Sequence, residues 1–170
     1  MNYKQYIRPG KSASDITPLL LEGSVFHSLI DDLVKLFEGQ QIDKVACVEG
    51  RGFILGSAVA YKLGVGLVPV RQKGKLQNEI ISTTFVDYSE KEKELELHLD
   101  AITKGDKILI IDDWVETGNT LRAVIKLIEQ SQGEVVGVGT LMDDSKDDLK
   151  NYLKKYNYKY LEQALPTDVL

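Results

Sequence analysis

What most constrains this chain is the spacing of its short apolar runs. KVACV (44–48), LVPV (67–70), KILII (107–111) and VVGVGTLM (135–142) each have strand length, and stretches of helical periodicity lie between most of them. Residues 53–63 and 121–131 read as helices, the first closed by Gly64 at its C-cap. Residues 147–156 read as a third helix, ahead of a last strand at 159–162. Before the first strand, Val25, Phe26, Leu29, Ile30, Leu33, Val34 and Phe37 recur at the spacing of one helix face. A strand that returns through a helix comes back parallel to its predecessor. The pattern therefore predicts an α/β chain with a mostly parallel central sheet and helices on both faces. No repeat or low-complexity linker interrupts the 170 residues, so a single domain over 1–170 is expected.

Residues 76–100 break the alternation. Segments 80–88 and 95–99 are strand-like, and the second alternates Leu95, Leu97 and Leu99 with Glu96, His98 and Asp100. Between them lies a charged tip at 89–94. This predicts a two-stranded hairpin with one wet face and the acids and lysines of EKEKE as a solvated tip.

The bulk charge removes several function classes. The net charge is −5 and no Lys/Arg block occurs, which argues against nucleic acid as a partner. No apolar run reaches the roughly 18 residues of a membrane span. MNYKQYIRPGKSASD has no apolar segment of the signal-peptide kind, so the expected location is the cytoplasm. Cys47 lies inside VACV and reads as a buried core thiol. His27 and His98 have no Cys or His partners at zinc-ligand spacing.

In a parallel sheet, ligands bind beyond the carboxyl ends of the strands. Three segments arrive there: EGRG (49–52), RQKGK (71–75) and DDWVETGNT (112–120). Thr117-Gly118-Asn119-Thr120 follows a strand and opens a helix, so its backbone N–H groups form an anion site at the positive end of a helix dipole. An ordinary N-cap explains that turn equally well. The adjacent Asp112 and Asp113 change the balance, because paired acids at the end of a buried strand repel each other unless hydroxyl donors or a cation meet them. A ribose phosphate supplies what both features need: an anion for the helix N-terminus and two hydroxyls for the carboxylates. Arg71, Lys73 and Lys75 would place positive charge opposite, and Arg51, between Gly50 and Gly52, has room for close approach. GxxxxGK[ST] does not occur, which argues against a P-loop triphosphatase.

These residues resemble a known family. ILIIDDWVETGNT (108–120) is similar to the phosphoribosyl-diphosphate signature of type I phosphoribosyltransferases. DITPLL (15–20), the run 49–76 and DAITKGDKILIIDD (100–113) narrow the likeness to the adenine phosphoribosyltransferase branch, over roughly residues 10–142. The resemblance implies a type I phosphoribosyltransferase fold with a β-hairpin lid at about 76–100. It implies that Asp112 and Asp113 hold the ribose hydroxyls of phosphoribosyl diphosphate and, through ribose or water, a Mg²⁺ ion. Glu116, Thr117, Gly118, Asn119 and Thr120 would wrap the 5-phosphate, while Gly50, Arg51, Arg71 and Lys75 would face the pyrophosphate. The implied activity is condensation of a nitrogenous base, adenine first, with phosphoribosyl diphosphate in purine salvage, by a homodimer.

The departures from that pattern concern the base. The aromatic residue that stacks on the purine is replaced by Ala13. The lid's Glu-Tyr becomes Asp87-Tyr88, with Asp87 in the proton-transfer position. Glu116 stands where adenine enzymes commonly carry Ala, and is a second candidate acid–base group; a Glu turned away from the phosphate is the alternative. Asn119 replaces a common Gly, and Trp114 a Leu or Val, where it packs or lines the pocket. The same chemistry on hypoxanthine, xanthine, guanine or a non-standard heterocycle therefore stays open. So does a regulatory protein that binds the nucleotide without turnover.

Overall fold

The structure is a computed structural model that describes residues 1–8, 14–86 and 91–164. After a 3-10 turn at Lys4–Tyr6, two helices, α1 (Thr17–Leu21) and α2 (Gly23–Lys35), precede β1 (Lys44–Val48). Then follow α3 (Arg51–Leu63), β2 (Gly66–Gln72) and the hairpin strands β3 (Ile80–Val86) and β4 (Glu92–His98). The chain continues through β5 (Lys107–Val115), α4 (Asn119–Gln130), β6 (Glu134–Asp143), α5 (Asp147–Leu153) and β7 (Tyr158–Gln163). The sheet order is β3-β4-β2-β1-β5-β6-β7. From β2 to β7 every pairing is parallel; β4 joins β2 antiparallel and β3 joins β4 antiparallel.

The expected two-faced sheet is present, and β5 shows why its sequence is apolar throughout. Ile108 and Ile110 belong to the cluster under α4 and α5, with Leu121, Val124, Ile128, Leu149 and Leu153. Leu109 and Ile111 belong to the opposite cluster, with Leu29, Leu33, Leu55 and Val59 of α2 and α3. Alternate side chains of a strand point to opposite faces, so a strand covered on both sides must be apolar at every position. Pro69 in β2 is tolerated because Val70 turns its carbonyl to β1, accepting from Glu49 N–H at 3.0 Å. Pro69, one residue back, directs its nitrogen to the other edge, where β4 pairs only with Arg71 and Gln72.

Two sequence expectations need correction. The strand carrying the acids does not stop at residue 111: Asp112, Trp114 and Val115 stay in register with Thr140, Met142 and Asp143. Strand β6 runs on alongside and supplies the backbone partners, so Asp112 and Asp113 lie within β5. The hairpin's second strand begins at Glu92 rather than 95, with Lys93 and Glu94 paired to Phe85 and Thr84, so part of the expected tip is strand. Nor is its polar face fully wet. Glu96 is buried and accepts backbone N–H groups from Gly74 (3.1 Å), Lys75 (2.8 Å) and Leu76 (2.7 Å). An acid that could have faced water instead pins the turn leaving β2.

Candidate active site

Strands β2, β1 and β5 are parallel neighbours, so their carboxyl ends open on the same side of the sheet. Two ion pairs stitch the three expected segments together there. Arg71 Nε donates to Glu49 Oε2 at 2.6 Å, joining the end of β2 to the end of β1. Arg51 Nε lies 2.8 Å from Asp113 Oδ2, joining the start of α3 to the end of β5. The second contact is close but misaligned, because Asp113 Oδ2 is buried and accepts no hydrogen bond. The ion pair meets the carboxylate's charge, and with Arg51 in this position Oδ2 is closed off from solvent. Arg51 Nη1 also donates to the Ser14 carbonyl, so one guanidinium ties the N-terminal segment to the acid pair.

The acids sit where ionisation is costly. Burial raises the Asp112 carboxyl well above the ordinary carboxylate range, and the neighbouring Asp113 charge adds to it. Burial raises Asp113 as well, opposed by the Arg51 guanidinium. The Asp113 backbone N–H donates to Asp112 Oδ1 at 2.9 Å, which holds that carboxylate against the chain. The start of α3 comes down onto the same oxygen: a Cβ at Gly52 would lie 2.8 Å from Asp112 Oδ1, so the close approach needs glycine. Below lies Cys47, fully buried, its thiol pushed up to about 12 by burial and by the Asp112 charge. It is the inert core thiol that its sequence context predicts.

Beyond β5, Glu116 and Thr117 are exposed and Gly118 is buried at the N-cap of α4, with φ of 70°. That left-handed conformation turns the chain into the helix, whose first residues are Asn119 and Thr120. The turn rests on the C-terminal part of the chain: a Cβ at Gly118 would lie 2.2 Å from Leu149 Cδ2 of α5. Asn119 Nδ2 donates to the Val86 carbonyl at the end of β3, 2.8 Å away, linking the turn to the hairpin. Trp114 packs with the α2–α3 cluster, as a core residue would.

The expected cations divide. Arg51 and Arg71 reach the strand ends, both engaged with carboxylates. Lys73 does not: its exposed side chain pairs with Glu94 of the hairpin at 2.7 Å. The Lys75 side chain is exposed, and the residue is fixed through its backbone by Glu96. Expected site residues Ala13, Asp87 and Tyr88 lie outside the described residues. Sequence reasoning missed Glu49, the Ser14 carbonyl, Glu96 and Leu149. Only Glu49 carried a usable signal, an acid at the end of a buried strand, as in the argument for Asp112. Among the described residues no group of three or more metal-ligating side chains occurs, and no helix is long and apolar enough to cross a membrane.

Comparison with known proteins agrees with this geometry. The phosphoribosyl transferase domain family matches residues 23–169, so the likeness continues past residue 142 through the C-terminal segment. An adenine phosphoribosyltransferase of Clostridium botulinum is 44% identical over 150 residues, covering 84% of this chain and 87% of that protein. The crystal structure of adenine phosphoribosyltransferase from Thermoanaerobacter pseudethanolicus superposes with a TM-score of 0.86 at 34% identity, covering 95% of this chain and 98% of that one. The Saccharomyces cerevisiae enzyme, complexed with an imino-altritol bisphosphate and adenine, gives 0.78 at 29% identity, covering 94% and 95%. An acid pair on β5, a glycine-turned helix N-terminus, and these likenesses along nearly the whole chain place it in the phosphoribosyl transferase domain family, among the adenine phosphoribosyltransferase-like type I enzymes.

Proposed function

We propose that this chain transfers the phosphoribosyl group of phosphoribosyl diphosphate to adenine, giving adenosine monophosphate and pyrophosphate. The observation that carries the reading is Asp113: a 6% exposed carboxylate, paired with Arg51, whose Oδ2 still accepts no hydrogen bond, one turn ahead of a helix N-terminus. The relatives' names supply adenine as the base. Asp112 and Asp113 accept the ribose hydroxyls, and the backbone N–H groups of residues 117–120 receive the 5-phosphate. Arg51 and Arg71 turn from their carboxylates toward the pyrophosphate.

The acid pair, all oxygen and with lone pairs to spare, fits a hard cation reached through ribose hydroxyls or water. Mg²⁺, when bound, offsets charge on the leaving pyrophosphate. The bond from the anomeric carbon to pyrophosphate breaks with its electron pair leaving on oxygen, through an oxocarbenium-like state. A base nitrogen forms the new bond and loses its proton; Asp87 and Glu116 are the carboxylates placed by sequence to receive it. Ile54 and Tyr61 (90% exposed), seven residues apart on α3, give that helix exposed apolar side chains for a second copy, and the working form we propose is a homodimer in the cytoplasm, as the resemblance implies. Light scattering reads that state, and a monomer throughout would overturn it. Pyrophosphate release is the test of function, assayed with adenine, hypoxanthine, xanthine and guanine. Turnover with adenine is expected; turnover only with another base would move the substrate, and none with any base would overturn the enzyme reading.

A further inference from the structure

We infer that Asn119 is a positioning residue that clamps the hairpin to the phosphate-binding turn, so that occupancy of the turn sets where the hairpin stands. The inference rests on the proposed phosphoribosyl site and adds a coupling to it. Three observations carry it. Strand β3 is the outermost strand of the sheet, and β4 meets β2 at Arg71–Glu96 and Gln72–Leu95, with the Lys73 N–H donating to the Glu94 carbonyl at 3.0 Å. The hairpin is therefore anchored through the middle of β4, at residues 94–96, and its 84–86 end leans on α4. At the far end that leaning is incomplete, because a groove of about 320 Å³ separates Thr84, Phe85 and Val86 from Asn119, Arg122 and Lys126. Across the mouth of this groove the Asn119 amide donates to the Val86 carbonyl at 2.8 Å.

The direction of the bond matters. The side chain leaves the phosphate-binding turn to reach the hairpin, while the Asn119 backbone N–H remains with the turn. An anion that orders the start of α4 therefore also orders the donor for Val86, the residue directly before Asp87. Linkage makes the effect reciprocal: a hairpin held down favours the ordered turn. Glycine at 119 could form the turn but could not reach the hairpin.

Hydrogen exchange and steady-state kinetics of the full chain test this with Asn119→Ala and Asn119→Gly. In the ligand-free protein, peptide 80–86 should exchange faster by about 3- to 10-fold in both variants, the loss of one hydrogen bond. Ribose 5-phosphate should still bind each variant, since the backbone donors remain, but about 3- to 10-fold more weakly, the reciprocal of the lost coupling. It should slow exchange in 80–86 of the wild type and leave it unchanged in the variants. With adenine, kcat should fall and KM for phosphoribosyl diphosphate rise by a similar factor, while the unfolding midpoint stays near that of wild type. Unchanged exchange in 80–86 overturns the clamp, with or without turnover. Retained protection by ribose 5-phosphate in the variants overturns it too. Failure of the wild type to turn over adenine counts against the proposed function alone, because the ligand-free exchange still decides the clamp.

Discussion

Gly118→Ala separates the two reasons for glycine at the turn into α4. The first is conformational: φ is 70°, and a side chain in that left-handed region costs about 1–2 kcal/mol. The second is packing. The new Cβ would stand 2.2 Å from Leu149 Cδ2, 2.5 Å from Cδ1 and 2.8 Å from Cγ, so Leu149 must move. Leu149 is 2% exposed and packed in the larger core cluster, and overfilling such a site costs about 1–3 kcal/mol. Together they predict a loss of about 2–5 kcal/mol, or roughly 4–20 °C in the unfolding midpoint of a chain this size.

A double-mutant cycle with Leu149→Ala distinguishes the two terms. That substitution alone leaves a cavity and should cost about 2–5 kcal/mol. In the double variant the methyl introduced at position 118 enters part of that cavity, so the two losses should fall short of additivity by about 1–3 kcal/mol. The conformational part stays. Urea unfolding monitored by fluorescence gives the four free energies, and ribose 5-phosphate binding follows the turn. Binding should weaken in Gly118→Ala and recover partly in the double variant. Strict additivity would mean that Leu149 does not touch the turn, and a Gly118→Ala loss under about 0.5 kcal/mol would refute both terms.

Two further substitutions test the acids. Asp113→Asn should weaken ribose 5-phosphate binding by about 10- to 100-fold, the worth of hydrogen bonds to a charged acceptor, with the midpoint near that of wild type. Burial raises the folded pKa of Asp113, so ionising it costs stability as pH rises through that value; the variant's stability relative to wild type should therefore climb with pH. A large loss of stability would instead mark Asp113 as a structural counter-ion for Arg51. Glu96→Gln should cost about 1–3 kcal/mol at neutral pH, because three backbone N–H groups lose a charged acceptor. Burial raises the Glu96 carboxyl, but those three donors outweigh it and leave the pKa below the usual range. The stability it contributes is present above the unfolded carboxylate's pKa and is lost as pH falls through the folded value. Urea melts should thus show wild type and variant converging in acid; a constant gap would sink the assignment.

The strands and helices were legible because their periodicity reflects burial on one or two faces, and β5 states it most plainly. The acid pair was legible because two adjacent carboxylates on a buried strand repel each other, and the turn because its capping residues follow a strand and open a helix. What stayed hidden depended on partners distant in sequence. Glu96 alternates with leucines as a solvent-facing strand residue would; only the turn at 74–76, folded back over it, makes it a buried acceptor. Leu149 reads as an ordinary apolar position of a short helix, and its contact with Gly118 requires α5 to dock beside β6. Lys73 and Lys75 look equivalent to Arg71 in RQKGK, yet both lie beyond the end of β2, where the hairpin acid Glu94 captures Lys73.

Arg51 connects the parts of the site energetically. In the free protein it is the cation beside Asp113, and it is also bonded to the Ser14 carbonyl, at the edge of the N-terminal segment where the resemblance places the base. Withdrawing it would leave a buried carboxylate uncompensated, which costs far more than an exposed ion pair is worth. On the proposed binding mode the guanidinium can therefore swing toward a pyrophosphate only when other donors meet Asp113, and ribose hydroxyls would be donors of the right kind. Moving Arg51 also releases Ser14. In that binding mode, ribose binding, pyrophosphate neutralisation and rearrangement of the base-side segment would thus be coupled through one side chain. The coupling needs no movement of the sheet, because Asp113 and the Ser14 carbonyl both already meet the first residue of α3.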